Sequence, residues 1–118
     1  MTLLDELLAV REQMAAAAQQ VYDEWEQDEE GLDEQFGGGG ICDEIQSAMS
    51  GVIAQNIECE LDDGGWEGDD HANLIASRGN EKYLVDIPAR VYESGGGMNW
   101  RKTPDVLISA DDVIIVSI

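Results

Sequence analysis

Apolar positions in the first quarter of the chain recur at helical spacing. Leu3, Leu4, Leu7, Leu8, Val10, Met14, Ala17, Ala18, Val21, Tyr22 and Trp25 share one broad face and predict a single helix over residues 3–26. Thr2 stands where an N-cap is needed, and Asp5, three residues on, completes a box-like pattern. The acids Asp23, Glu24, Glu26, Asp28, Glu29 and Glu30 crowd the far end, where the helix dipole disfavours negative charge. The helix is therefore expected to turn near residues 27–31, with Leu32 and Phe36 docking the connector. Gly37, Gly38, Gly39 and Gly40 read as a loop that something approaches closely. A second apolar stripe, Ile41, Ile45, Ala48, Met49, Val52 and Ile53, predicts a helix over residues 42–55.

From residue 57 the period changes from helical to alternating. Strands are predicted over 57–61, 71–76, 81–86, 106–108 and 113–116, with a shorter extended piece at 91–93. Residues 77–80, Ser-Arg-Gly-Asn, form a hairpin turn, and Pro88 ends the return strand. Equal steps outward from that turn pair Asn73 with Asp86. Two helices followed by strands predict an α+β fold, two N-terminal helices packed on a mostly antiparallel sheet. A length of 118 residues fits one domain with a small core.

Charge changes the functional picture more than the fold. The chain has 26 acidic and 6 basic residues, a net charge of −20. Hydrophobic residues make up 43% of the chain, enough for a packed domain despite that charge. Such a field repels nucleic acid and other anionic surfaces and attracts basic ones. Three origins compete: solubility or a saline cytoplasm, mimicry of nucleic-acid charge, and steering of a basic substrate. The start, Met-Thr-Leu-Leu-Asp-Glu, lacks the basic region of a secretory signal, and no apolar run has the length of a membrane span. Cys42 and Cys59 are the only cysteines, and without a signal they read as reduced thiols in a cytoplasmic setting. One histidine and two separated cysteines make no zinc site, and the acidic runs lack the order of a calcium loop. No cofactor and no metal are expected.

Three residues stand out for chemistry. Cys42 follows the glycines at a predicted helix start, where the dipole favours a thiolate and the first turn's N–H groups suit an oxyanion. Asp43 and Glu44 follow it directly and oppose a thiolate unless they point to solvent. His71, the sole histidine, opens a predicted strand beside the acidic residues 69–70. Asp86 breaks the apolar pattern of the return strand within reach of His71. Thiol, imidazole and carboxylate are the parts of a cysteine-nucleophile site. Each has a plainer alternative: Cys42 packing the helix start, His71 as a surface histidine, Asp86 capping the turn before Pro88. Cys59, mid-strand on an apolar face, reads as core. Trp66 and Trp100, in loop-like positions, either wall a cleft near Cys42 or cap the core.

Gly39-Gly40-Ile41-Cys42 opening a helix, Asp70-His71-Ala72 opening a strand and Tyr83-Leu84-Val85-Asp86-Ile87-Pro88 resemble the papain-like cysteine hydrolase superfamily, in its transglutaminase-like and NlpC/P60-like branch. The resemblance covers roughly residues 35–88. It implies one papain-like domain over 1–118, with a helix and acidic connector over 1–36 and the Cys helix plus sheet over 37–118. It implies a thiol acyl-transfer enzyme (peptidase, amidase, deamidase or transamidase) with Cys42 as nucleophile, His71 as base and Asp86 as orienting residue. Gln35 resembles the upstream glutamine that assists the oxyanion. Gly40, Ile41 and Trp66 are the expected substrate contacts, and a basic protein, peptide or amide the expected substrate. Where the family carries a bulky aromatic after the nucleophile, this chain has Asp43 and Glu44. The competing expectation is a non-catalytic acidic protein that covers a basic partner surface, as an inhibitor or nucleic-acid mimic.

Overall fold

In the computed structural model the described residues are 2–24, 39–64, 71–88, 91–93, 100–103 and 105–118. The N-terminal stripe forms two helices, α1 (Leu3–Ala9) and α2 (Arg11–Glu24), where the pattern predicts one. The Thr2 side chain accepts from the Asp5 N–H at 3.2 Å, which completes the predicted cap. Val10 interrupts the run with φ −106° and ψ 9°, and its N–H turns back to the Leu7 carbonyl at 3.2 Å. The break does not disturb the stripe, because Leu3, Leu7, Val10 and Met14 remain buried on one side of it. The third helix, α3 (Gly39–Asn56), starts three residues before Cys42 and takes Gly39 and Gly40 into its first turn. Those positions were expected in a loop. Glycine is tolerated there, and the first turn's N–H groups need no intrahelical partner.

Four strands, β1 (Glu60–Asp63), β2 (His71–Arg78), β3 (Glu81–Pro88) and a C-terminal one, Ile114–Ser117, form an antiparallel sheet. Between β3 and the last of these the chain makes a two-stranded antiparallel pair, β4 (Val91–Glu93) and β5 (Trp100–Lys102), so the C-terminal strand is β6. The order in the larger sheet is β1-β2-β3-β6. Among the described residues this is a small α+β fold of three α-helices and a four-stranded antiparallel sheet. Trp100, expected in a loop, begins β5. The strand expected over 57–61 lies later, because pairing with β2 engages residues 60–63. Residues 106–108 form no strand. Their main chain is held by a side chain of α2: Gln19 Nε2 donates to the Val106 carbonyl at 3.1 Å, and the Ile108 N–H donates to Gln19 Oε1 at 2.6 Å.

The β2–β3 hairpin closes on Gly79 and Asn80, with Arg78 opposite Glu81. Gly79 has φ +62°, so the first central residue is left-handed and the turn follows the II′ pattern. An added Cβ at Gly79 would meet nothing within 4 Å, so strain there comes from the backbone alone. Gly79→Ala is expected to cost about 1–2 kcal/mol, read as a lower urea midpoint at unchanged slope.

Side chains alternate across the sheet. Ala72, Leu74 and Ala76 of β2 and Val85 and Ile87 of β3 are buried, and they join Ile41, Ile45, Met49 and Ile53 of α3 in one core with α1 and α2. The alternate row of the same strands carries His71, Asn73, Leu84 and Asp86. Among the described residues no helix is long and apolar enough to cross a membrane.

Candidate functional site

The register pairs His71 with Pro88 and Asn73 with Asp86, as equal steps from the turn predict. His71 and Asp86 are thus diagonal neighbours on one row, close enough for their side chains to meet. His71 Nδ1 lies 3.1 Å from Asp86 Oδ1 and 3.0 Å from Oδ2. An ionised carboxylate only accepts, so the proton of this bond belongs to Nδ1. In the neutral ring Nε2 then carries the lone pair, and it is the nitrogen able to take a proton. The pair is partly shielded: side-chain exposure is 27% for His71 and 12% for Asp86.

Asp86 has a second donor. Asn73 Nδ2 lies 3.4 Å from Asp86 Oδ1, and both residues are buried. Gln46 Nε2 donates to the Asn73 main-chain carbonyl at 2.6 Å. Gln46 is the next turn of α3 after Cys42, so this bond ties the thiol end of α3 to the first residues of β2, where His71 stands. Neither Asn73 nor Gln46 was singled out by sequence reasoning. The available signal was a polar residue inside an apolar strand, on the same row as the histidine and opposite the aspartate.

Cys42 is the fourth residue of α3 and is buried, 6% exposed. Helical side chains tilt toward the N-terminus, the end at which the first turn's N–H groups have no intrahelical partner. Burial fits both a core residue and a nucleophile at the foot of a closed cleft. Asp43 and Glu44 are exposed, so the two acids beside the thiol point to solvent, where water and salt screen them. Neither cysteine is in a disulfide. Cys59 is half-buried just before β1, packed against the core, and burial pushes its thiol pKa up, with Glu6 adding to the rise and Arg78 opposing it.

The remaining expected positions divide. Ile41, expected at a substrate cleft, is fully enclosed in the core, because the helix starts earlier and turns this residue onto the apolar stripe. Gly40 lies in the first turn of α3. Gln35 and Trp66 lie outside the described residues, as do the acids at 69–70. Among the described residues no three His, Cys, Asp or Glu side chains converge as a metal-binding group. Comparison with family models, with curated proteins and with solved structures found no match.

Proposed function

We propose that this protein is a cysteine-nucleophile acyl-transfer enzyme of papain-like type, with Cys42 as nucleophile, His71 as base and Asp86 as the residue that orients the ring. The observation that carries the reading is the Asp86 carboxylate on His71 Nδ1 at 3.0 Å, which leaves Nε2 as the proton acceptor. Two further facts support it. The Gln46–Asn73 bond fastens the thiol end of α3 to the histidine end of β2. The acids next to Cys42 face solvent. Because the His71 row alternates with the row that packs on α3, the reading requires the thiol to reach the ring around the first residue of β2, His71.

The chemistry follows from these roles. His71 Nε2 takes the Cys42 proton, and the sulfur adds to a carbonyl carbon to give a tetrahedral oxyanion. First-turn N–H groups of α3, with Gln35, hold the oxyanion. Collapse breaks the bond to the leaving amine, which takes the proton from the imidazolium, and a thioester remains on Cys42. Water then makes the enzyme a hydrolase, and a second amine makes it a transamidase. The charge of −20 favours a basic, Lys-rich substrate protein or peptide.

Alkylation with iodoacetamide across pH tests the reading, with Cys59 as the internal reference. Cys42 is expected to react well below the ordinary thiol range near about pH 8.5. Cys59 is expected to lag behind that range, since burial raises its pKa. His71→Ala should slow Cys42 about ten- to a hundred-fold at pH 6. Equally sluggish labelling of both thiols, indifferent to His71→Ala, would sink the proposal.

A further inference from the structure

The most unusual buried group near the site is the Asn73 amide. Asn73 and Asp86 are buried polar residues, with 5% and 9% of the whole residue exposed. Burying an amide costs free energy unless its hydrogen bonds are met, so its position has to be supported. Three contacts surround it. Nδ2 reaches Asp86 Oδ1 at 3.4 Å, and the main-chain carbonyl takes the Gln46 amide at 2.6 Å. The third contact is with Gly64, just past the end of β1. A Cβ built on Gly64 would fall 1.9 Å from Asn73 Oδ1 and 2.6 Å from Cγ. The side-chain amide therefore lies across Gly64 in the space a side chain would fill. Gly64 is not at positive φ, so its own backbone accepts alanine and steric room alone demands glycine.

We infer that Asn73 is a positioning residue of the site: its amide, seated over Gly64, holds the Asp86 carboxylate in the orientation that keeps His71 in the Nδ1–H form. A carboxylate held only by the ring is able to turn about its own axis. A second donor on Oδ1 removes that freedom, and a carboxylate fixed in plane fixes the ring it accepts from. The catalytic meaning of this role rests on the Cys42–His71–Asp86 reading, but the role itself is one of ring geometry and is measurable without substrate.

His71 is the sole histidine, so its imidazole nitrogens give unambiguous ¹⁵N signals in a uniformly labelled protein. At a pH where the ring is neutral, the wild-type protein is expected to show the Nδ1–H tautomer alone. Asn73→Ala should give a mixture with the Nε2–H tautomer. Gly64→Ala should do the same, because it displaces the amide while leaving Asn73, Asp86 and His71 chemically intact. It also serves where Asn73→Ala does not fold, with the backbone amide spectrum reporting the fold of each variant. A pure Nδ1–H tautomer persisting in either folded variant would overturn the inference. Tautomer mixing in a protein whose Cys42 alkylates no faster than Cys59 keeps Asn73 as the positioning residue and rejects the enzyme, so the two failures are told apart.

Discussion

In an Asp86→Asn protein, hydrolysis of a small activated ester such as p-nitrophenyl acetate is expected to fall about 10²–10⁴-fold from wild type. The substitution is nearly isosteric and keeps a partner for the ring, so little of this loss comes from packing. It comes from the proton. The carboxylate accepts from His71 Nδ1 on both of its oxygens, at 3.0 and 3.1 Å. An asparagine amide is able to donate to Nδ1 instead, which moves the ring proton to Nε2, and a protonated Nε2 cannot accept from a thiol. Asn73 adds to the effect, since its Nδ2 then faces another amide in place of a carboxylate. Turnover that survives Asp86→Asn unchanged would remove Asp86 from the site. Cys59, reached through none of these groups, should alkylate in the variant as in wild type.

The largest stability effect is expected at Ile45. This residue is fully enclosed and lies between Cys42 and Met49 on the stripe of α3 that faces the core. Ile45→Ala removes three buried carbons and leaves a cavity that helix and sheet only partly close, a cost of about 2–5 kcal/mol. That is a large share of the roughly 5–15 kcal/mol that holds a domain of this kind together. Ile45→Val should cost only about 1 kcal/mol. Urea titrations followed by far-UV circular dichroism give both numbers, and a fall in midpoint at unchanged slope is the expected form. If Ile45→Ala and Ile45→Val cost the same, the site is not the packed position described. Because Ile45 precedes Gln46, the alanine variant also tests whether loosening this turn slows Cys42 alkylation.

The β2–β3 hairpin was legible as far as Asn73 opposite Asp86, because alternation fixes the register, but its turn is tighter than the predicted 77–80: Ser77 and Arg78 pair within the sheet, and Gly79, with φ +62°, closes a two-residue turn. The break at Val10 was not legible. The buried stripe Leu3, Leu7, Val10, Met14 keeps helical spacing straight through it. Residues 106–108 look like a strand by composition, but Gln19, some ninety positions earlier, holds their main chain, and periodicity carries no trace of a partner so distant. The start of α3 was misplaced because glycines read as loop, although the first helical turn asks little of them. At the site, the His71–Asp86 contact followed from register alone. The Asn73 amide did not, since its importance depends on Gly64 from another strand end and on Gln46 from a helix, and a string shows neither.

The tight turn at Gly79 also bears on how the molecule is assembled. His71 and Asp86 are 15 residues apart and joined by the shortest kind of connection, whereas the Gln46–Asn73 bond that brings the thiol helix to them spans 27. The tie between α1 and the far end of the same hairpin, Leu3 N–H to Glu81 Oε1, spans 78. Hairpins close in about 1–10 μs, and contacts between distant segments come later because more chain entropy must be lost first. Ring and carboxylate therefore meet within a local unit, and α3 with Cys42 is tied to it only when the Gln46–Asn73 bond forms. A half-folded chain on this route holds the His71–Asp86 pair before the cysteine helix has docked.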